Sequence, residues 1–526
     1  MLTLELLRVP AAICPDRTAI IFENSSLTFA QLNERSSKLA ESLLQQGIKP
    51  KDRVAMLQVN TPEVVETYFA CAKIGAAFVP VDFRARPGEV AFRLQDSGVK
   101  ALILGERYLP MVSSLRDVAP TVEKYISLVA AANPDLVDYK TLIENGRAEN
   151  FQPYQGEDTD MTVLMYTSGT TGTPKGVMLS HNSFTEYSLN NVDPAGPDQE
   201  ESNILTVPLY HIAGMQAMMA AVWGGRTLVL QRQFEPVEWM KLVQQHRVDR
   251  AMMVPTMLQM LMNHPDFDKY NLSSLKVITY GAAPMPLEVI ERAISRFPNA
   301  GFINAFGQTE SGATITMLGV DDHKLTGSPE EVALKIKRLS SAGRVLQGVH
   351  IKIIDPDGKE QPVGENGEIV VKTERAMNGY LGQEAATAET IDPEGYLHTG
   401  DAGFLDEGGY LFISGRLKDT IKRAGEFVPP VEVEETLMAH PAIADAAIIG
   451  VPDDTWGETV RAIVVLKRGQ SVTLEELREF GRQRLATYKL PESLVIVEEL
   501  PRNPMGKVLK TELREKFGQP NTPQQA

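Results

Sequence analysis

The N-terminal four-fifths of the chain alternates between short apolar runs and segments whose apolar residues recur with helical spacing. A clear example joins an apolar run at residues 53–59 to a second run at residues 77–81. Between them, Thr61 supplies an N-cap and Pro62 a proline at the first helical position, which predicts a helix ending near Gly75. The pattern therefore predicts a strand–helix–strand unit.

The same alternation returns further along the chain. An apolar run at residues 248–253 is followed by Pro255, which favours a helix start. Another run at residues 276–280 leads into a tight turn at residues 281–284 and a helix from Pro286 onward. Repeated units of this kind predict doubly wound α/β layers, in which ligands bind at the carboxyl ends of the strands.

From about Gly343 the pattern changes to short strands separated by turns. Apolar-rich segments at residues 350–354 and 368–372 are bounded by Asp-Pro-Asp-Gly and Gly-Glu-Asn-Gly, which are typical turn sequences. This pattern of short strands and turns predicts a small β-barrel or sheet, and we expect a barrel following the α/β layers.

After Gly415 the chain mixes helix and strand again. Residues 473–476 form a capping box that predicts a helix running to about Leu485. We therefore expect a smaller α+β domain at the C-terminal end. The predicted organisation is an N-terminal domain at residues 1–415, a hinge at 416–420 and a mobile C-terminal domain at 421–526.

Composition excludes several classes of protein. The chain has 526 residues, a net charge of −16 and two cysteines, Cys14 and Cys71. Two cysteines cannot build a disulfide framework or a cysteine-based zinc site, and the acidic balance argues against nucleic-acid binding. The longest uncharged apolar stretch, residues 212–225, is too short to cross a membrane and predicts a buried helix. With no targeting signal recognised, we expect a cytoplasmic protein.

The strongest chemical signal is a loop rich in glycine and hydroxyl side chains at residues 166–177, between predicted strands at 162–166 and 176–180. Glycines allow backbone N–H groups to approach an anion closely, hydroxyls add donors, and a lysine adds positive charge. Pro174 and Gly176 exclude a Walker A loop. The flanking strands argue against a flexible linker and favour a phosphate cradle. Its residues are Thr167, Ser168, Gly169, Thr170, Thr171, Gly172, Thr173 and Lys175.

This loop resembles the signature loop of the adenylate-forming superfamily, which includes acyl-CoA synthetases, adenylation domains and luciferase-like enzymes. Five further segments resemble motifs of that superfamily in the expected order, so the resemblance covers nearly the whole chain. They are Pro-Leu-Tyr-His at 208–211, Tyr-Gly-Ala-Ala-Pro at 280–284, Asn-Ala-Phe-Gly-Gln-Thr-Glu at 304–310, the paired segments 396–401 and 415–419, and Asn-Pro-Met-Gly-Lys at 503–507.

The resemblance implies a role for each matching residue. Nucleotide binding is implied for the cradle and for Gly281, Ala282, Ala283, Asn304, Ala305, Phe306, Gly307, Thr309, Asp401, Arg416, Lys422 and Lys507. An acyl pocket is implied at His211, Gly214, Tyr280, Gly281, Ala282, Gly312 and Ala313. Coenzyme A binding is implied for His211, Ala424 and Gly425, Mg²⁺ binding for Glu310, and the hinge for Lys418. The implied catalytic residues are Lys175, His211, Thr309, Glu310 and Lys507.

These roles suit the residue types, although each residue also has an ordinary structural interpretation. Glu310 is a hard oxygen ligand for Mg²⁺, and Asp401 can accept both ribose hydroxyls. Phe306 stands where the superfamily usually has tyrosine, so a hydroxyl is lost and a stacking surface is kept. Taken alone, His211 could be a core histidine and Lys507 a solvated surface charge.

The resemblance implies an acyl-CoA synthetase with ATP, Mg²⁺ and coenzyme A as cofactor and co-substrates. Small residues and the absence of an obvious cation in the acyl pocket favour a hydrophobic monocarboxylic acid, either a medium- or long-chain fatty acid or an aryl acid. The alternatives are an enzyme that loads a carrier protein in trans, a luciferase-like monooxygenase and a catalytically inactive nucleotide-binding protein. A homo-oligomer is left open, and no nucleic-acid partner or membrane span is expected.

Overall fold

The computed structural model describes residues 1–130, 135–167, 174–423, 426–453, 455–502 and 506–520. They form an α/β fold with a large N-terminal part and a smaller C-terminal part, which confirms the predicted fold class. Their strands form sheets of seven, nine, four and five strands.

The seven-stranded sheet contains the predicted strand–helix–strand unit. Its central strands pair in parallel and are almost wholly buried, as expected for a sheet covered by helices on both faces. The final pair is antiparallel and places Thr167 opposite Lys175. In spatial order the strands are β7 (Val137–Asp138), β6 (Lys124–Ser127), β5 (Ala101–Leu104), β3 (Arg53–Leu57), β4 (Ala77–Val81), β8 (Met161–Thr167) and β9 (Lys175–Ser180).

The nine-stranded sheet carries the two later strand–helix units. Parallel pairing runs through its centre, and β14 (Gly301–Gln308), which contains most of the motif at 304–310, pairs antiparallel with β15 (Ala313–Leu318). In spatial order the strands are β16 (Arg344–Val345), β15 (Ala313–Leu318), β14 (Gly301–Gln308), β13 (Val277–Gly281), β12 (Arg250–Met253), β10 (Ser202–Leu205), β11 (Thr227–Leu230), β1 (Thr18–Phe22) and β2 (Ser25–Thr28).

A four-stranded antiparallel sheet stands where the sequence predicts a small barrel. Its strands are, in order, β17 (Val349–Ile354), β18 (Gly367–Thr373), β19 (Leu397–Leu405) and β20 (Leu411–Arg416). The outer strands do not pair with each other within the described ranges, so the sheet is open and no barrel closes. Its apolar residues share a buried cluster with Ile315 of β15, so packing against the nine-stranded sheet covers the face that closure would otherwise bury.

The C-terminal part is built on a five-stranded sheet. The strands β22 (Glu426–Val428), β21 (Ile421–Arg423), β24 (Gly457–Leu466) and β23 (Ile443–Asp453) pair antiparallel, and β25 (Ser493–Val497) pairs in parallel with β24. The short helical turn Leu417–Asp419 connects this sheet to the four-stranded one. The domain limits at residues 415 and 421 stay a prediction.

Helices connect the strands and cover the sheets. In chain order they are α1 (Glu5–Ile13), α2 (Phe29–Gln45), α3 (Pro62–Ile74), α4 (Pro87–Ser97), α5 (Val112–Val118), α6 (Tyr139–Asn145), α7 (Asn182–Asn191), α8 (Ile212–Trp223), α9 (Pro236–His246), α10 (Pro255–Met262), α11 (Leu287–Arg296), α12 (Val320–His323), α13 (Pro329–Leu339), α14 (Glu384–Thr390), α15 (Pro430–Met438), α16 (Leu474–Arg482) and α17 (Lys510–Phe517).

Local sequence signals set several of these helices. Helix α3 begins at Pro62 and ends at Ile74, and the left-handed conformation of the following Gly75 closes the last turn. Helix α16 begins with the predicted capping box at Thr473 and ends at Arg482, three residues before the predicted end, where a turn bonded to the Gly481 carbonyl takes over. Helix α8 is buried along nearly its whole length, as predicted. No helix in the described part of the chain is long and apolar enough to cross a bilayer.

Candidate active site

Glu310 lies where the two large sheets meet. Strand β8 ends at Thr167, whose hydroxyl donates to Glu310 Oε1 at 3.4 Å. The Tyr380 hydroxyl donates to the same oxygen at 3.2 Å, and the ring of Tyr380 lies 4.6 Å from the Lys175 ammonium. Burial and the nearby carboxylate raise the pKa of Tyr380, so its hydroxyl remains a donor. A carboxylate, two hydroxyls and an ammonium thus lie close together beside Thr167 and Lys175.

At two positions, Gly281 and Gly307, the strands β13, β14 and β15 approach each other too closely for a side chain. A methyl group at Gly281 would lie 2.1 Å from the Ala305 carbonyl oxygen, and one at Gly307 would lie 1.7 Å from that of Ala313. The next residue after Gly281, Ala282, has a φ of 66°, in the left-handed region that few non-glycine residues adopt. The strand ends are therefore held in close contact, and three of their residues, Ala282, Ala305 and Gly307, line a cavity.

Asp401 and Arg416 form the second charged group. Arg416 Nε lies 2.6 Å from Asp401 Oδ1, and the two residues are register partners on β19 and β20. Burial raises the pKa of Asp401, and the neighbouring Arg416 and Lys507 cations oppose that rise. The pair presents a buried carboxylate beside a cation, the arrangement proposed for ribose hydroxyls.

Lys507 approaches this pair from the C-terminal part of the chain. The preceding residue, Gly506, has a φ of 77°, and a methyl group there would lie 2.7 Å from the Thr256 hydroxyl of α10. Burial lowers the pKa of Lys507 to about 8, and repulsion by Arg416 adds to the effect. The close approach of Gly506 therefore holds a weakly basic lysine against the N-terminal part.

His211 occupies the N-cap of α8, where its Nδ1 accepts the N–H of Ala213 at 3.3 Å. Burial lowers the pKa of His211 to about 4. The ring is therefore neutral near pH 7, and because Nδ1 is an acceptor, Nε2 carries the hydrogen.

One cavity of about 530 Å³ collects most of these side chains. The predicted site residues that line it are Thr167, Lys175, His211, Ala282, Ala305, Gly307, Thr309, Glu310, Ala313, Arg416, Lys418 and Lys507. Residues from the seven-, nine- and four-stranded sheets and from the C-terminal segment thus surround one space. Four cations line it, Lys175, Arg416, Lys418 and Lys507, and so do the apolar side chains of Ile212, Ala213 and Met252.

Other predicted residues lie behind the wall of this cavity or away from it. The hydroxyl of Tyr280 donates to His323 Nε2 at 2.9 Å inside the core, because His323 Nδ1 faces the Gly319 carbonyl. Gly214 packs against Pro208, where a methyl group would lie 2.2 Å from the carbonyl oxygen. The remaining residues of this set, among those the structure describes, are Gly281, Ala283, Asn304, Phe306, Gly312, Asp401 and Lys422.

Some predicted residues fall outside the described ranges. They are Ser168, Gly169, Thr170, Thr171, Gly172 and Thr173 of the phosphate loop, and Ala424 and Gly425 of the implied coenzyme A site. Asn503, Pro504 and Met505, which precede Lys507 in its motif, also lie outside them.

Two family models match the chain. The AMP-binding enzyme model matches residues 7–381, and the AMP-binding enzyme C-terminal domain model matches residues 432–507. The chain belongs to the AMP-binding enzyme family. The predicted adenylate-forming superfamily and enzyme class, an AMP-forming acid–thiol ligase, are thereby confirmed.

Curated relatives of this AMP-binding enzyme cover nearly the whole chain. A feruloyl-CoA synthase of Amycolatopsis sp is 34% identical over 510 residues, which are 97% of each chain. A fatty acid–[acyl-carrier-protein] ligase, ScoC, of Streptomyces coeruleorubidus is 34% identical over 509 residues, 96% of this chain and 94% of that protein. The names of these two relatives differ both in the acid and in the acceptor of the acyl group.

Solved structures share the architecture. The amide bond synthetase McbA from Marinactinospora thermotolerans superposes with a TM-score of 0.87 at 28% identity, covering 98% of this chain and 100% of that one. A Mycobacterium tuberculosis fatty acyl CoA synthetase has a TM-score of 0.76 at 30% identity, covering 98% and 99%.

The structure also adds residues to the site that the sequence motifs did not indicate. Tyr380, Gln216, Thr314 and Met252 line the cavity, as does His398, which lies 3.0 Å from Glu368. His398 stands inside a motif segment and could have been included. Gln216, Thr314 and Met252 come from elements whose sequences indicate only burial, and Tyr380 lies between β18 and α14, so periodicity gave no signal for any of them.

Proposed function

We propose that this AMP-binding enzyme is an ATP-dependent acid–CoA ligase that activates a hydrophobic monocarboxylic acid, a medium- or long-chain fatty acid or an aryl acid. The observation that carries the proposal is the cavity itself. It is lined both by apolar side chains, Ile212, Ala213 and Met252, and by the cations Lys175 and Lys507. An acid with an apolar body can therefore meet a nucleotide phosphate within one cavity.

In the first step a carboxylate oxygen of the acid attacks the α-phosphorus of ATP. The bond from that phosphorus to the bridging oxygen breaks, which gives acyl-AMP and pyrophosphate. Two anions must approach each other, so the ammonium groups of Lys507 and Lys175 offset their repulsion, and the Thr309 hydroxyl adds a donor. The neutral ring of His211 offers its Nε2 hydrogen to the acid.

Glu310 fits a role in holding Mg²⁺. The ion usually takes one or two protein carboxylates together with waters and substrate phosphates. Within the described residues no cluster of three or more histidine, cysteine, aspartate or glutamate side chains could hold a metal ion alone. A single carboxylate beside Thr167 and Tyr380 matches a shared site, in which bound Mg²⁺ would neutralise phosphate charge.

In the second step the C-terminal part turns about Lys418 and coenzyme A enters past His211, Ala424 and Gly425. The thiolate sulfur attacks the acyl carbonyl carbon, the bond to the AMP oxygen breaks, and the thiol proton passes to solvent. No side-chain nucleophile is needed. Cys14 and Cys71 are buried, and burial raises the pKa of both thiols, so neither is suited to nucleophilic attack.

The proposal is tested by incubating the protein with Mg·ATP, coenzyme A and a pooled panel of aliphatic and aryl acids, with products followed by mass spectrometry. An acyl-CoA product supports the ligase and reports its acid. Acyl-AMP without acyl-CoA indicates another acceptor, for which a carrier protein is favoured because ScoC is 34% identical. Neither product, with ATP bound, would indicate a catalytically inactive nucleotide-binding protein and refute the proposal.

A further inference from the structure

The cavity contains a polar pair that the proposed mechanism leaves unused. Gln216 of α8 lines the cavity together with apolar side chains and is 7% exposed. The Thr314 hydroxyl of β15 donates to its Oε1 at 2.8 Å. Its Nε2 is buried and has no hydrogen-bond acceptor in the part of the chain that the structure describes. The amide is therefore held on one side and unsatisfied on the other.

The neighbours of Gln216 in the cavity do not satisfy this donor. Ile212 lies one helical turn earlier on the same face of α8, and Ala213, Met252 and Ala313 complete the wall. None of these four side chains carries a strong acceptor. A buried amide hydrogen without an acceptor is destabilising, and an acceptor brought by a ligand removes that penalty.

The position of Gln216 along α8 indicates where on the acid this acceptor belongs. His211, which caps α8, is five residues earlier, and at 1.5 Å per residue the separation along the helix is about 7.5 Å. If His211 faces the carboxyl group of the acid, Gln216 faces the far end of a six-carbon chain or of a phenylpropenoate. The pair is placed to contact the distal part of the acyl group.

We infer that Gln216, oriented by Thr314, selects acids that carry an oxygen substituent, a hydroxyl or ether, on the distal part of an otherwise apolar body. The inference rests on the proposed function and narrows its substrate class. The Nε2 hydrogen donates to that oxygen, and a hydroxyl at the same place can also donate to Oε1. Acids of the same shape without oxygen leave the donor unpaired, so the pocket discriminates against them.

The test measures binding of hydrolysis-resistant acyl-adenylate analogues, so it does not depend on turnover. Two pairs of 5′-O-(N-acylsulfamoyl)adenosines are compared by calorimetry: cinnamoyl with 4-hydroxycinnamoyl, and hexanoyl with 6-hydroxyhexanoyl. We expect the wild-type protein to bind the oxygenated member of at least one pair about tenfold more tightly. In Gln216→Leu, which keeps the volume and removes the amide, that ratio should fall to about one or below.

Thr314→Val provides a second, nearly isosteric variant in case Gln216→Leu does not fold, and AMP binding and the melting curve check both. Removing the hydroxyl frees the amide to turn, so the preference should shrink. Equal or weaker binding of both oxygenated analogues by the wild type would overturn the inference, as would an undiminished preference in either variant. No binding of any analogue would refute the acyl-adenylate pocket, and with it the proposed function as well.

Discussion

Arg416 and Asp401 face each other on neighbouring strands, with Arg416 Nε 2.6 Å from Asp401 Oδ1. In spite of this contact, burial raises the pKa of Asp401. Taken together, the surroundings of Asp401 therefore disfavour the ionised carboxylate, although the Arg416 cation contacts it. A buried charge held against its surroundings is characteristic of functional sites more than of stabilising ion pairs.

Asp401→Asn should consequently weaken nucleotide binding without loss of the fold. The amide keeps the shape but accepts fewer hydrogen bonds, so we expect ATP affinity to fall roughly 10- to 100-fold, the range for hydrogen bonds to a charged group. The melting temperature should change by only a few degrees. Calorimetry with ATP and a thermal melt measure the two effects, and Asp357→Asn in an exposed turn is the matched control. Unchanged ATP affinity would contradict the ribose assignment.

Lys507→Ala should separate the two half-reactions. Loss of the ammonium removes charge stabilisation from acyl-AMP formation, and we expect that step to slow by about 10²- to 10³-fold. Thioester formation from supplied acyl-AMP should remain within a few-fold of the wild type, since Lys507 has no assigned role there. Pyrophosphate release and acyl-CoA formation are measured separately, with the exposed Lys516→Ala as control. An equal loss in both steps would refute this division of labour.

The pH dependence of adenylation should report the same lysine. Burial lowers the pKa of Lys507 to about 8, so its proton is present below that pH and is lost as pH rises through it. We expect kcat/KM for ATP, which reports the free enzyme, to fall about tenfold per pH unit above about 8. The residual activity of Lys507→Arg should lack this limb, because guanidinium stays protonated. If Lys507→Arg shows the same fall in kcat/KM above about pH 8, the titration that causes the fall belongs to another group.

Sequence reasoning succeeded where a few neighbouring residues determine the structure. Thr61 and Pro62 start α3, and Thr473 caps α16, because each signal acts within one helical turn. The motif residues Lys175, Glu310 and Lys507 meet in one cavity, although they lie on different elements. Their resemblance to a known family supplied this grouping, which periodicity alone could not.

Sequence reasoning failed where the structure depends on packing between elements that are distant in the chain. The small barrel stayed an open sheet because Ile315 of another sheet covers its apolar face. Tyr280 points into the core toward His323, whereas Tyr380, which no motif indicated, reaches Glu310. The residues next to each tyrosine in the sequence do not indicate which one points into the core and which one reaches the site.

Tyr380 should act as a positioning residue for Glu310. Tyr380→Phe removes the hydroxyl that donates at 3.2 Å and keeps the ring beside Lys175. We expect the KM for Mg·ATP to rise by about three- to tenfold with kcat nearly unchanged, consistent with one hydrogen bond. Tyr380→Leu removes the ring as well and should also lower kcat, because Lys175 loses its contact. Wild-type kinetics in Tyr380→Phe would deny the hydroxyl this role, and identical kinetics in the two variants would deny the ring a separate one.

Lys418→Pro should separate the half-reactions in the opposite sense to Lys507→Ala. Lys418 lies in the short turn Leu417–Asp419 that connects the four-stranded sheet to the C-terminal sheet, and it lines the cavity. Proline fixes φ near −65°, a value compatible with a helical turn but not with a large backbone rotation there. We therefore expect acyl-AMP formation to persist within about tenfold, while thioester formation from supplied acyl-AMP falls by at least 10²-fold. The control is Lys418→Ala, which leaves the backbone free and should retain both steps.

Normal acyl-CoA output from Lys418→Pro would place the pivot elsewhere. Failure of both steps in Lys418→Ala would instead assign Lys418 a direct contact with substrate.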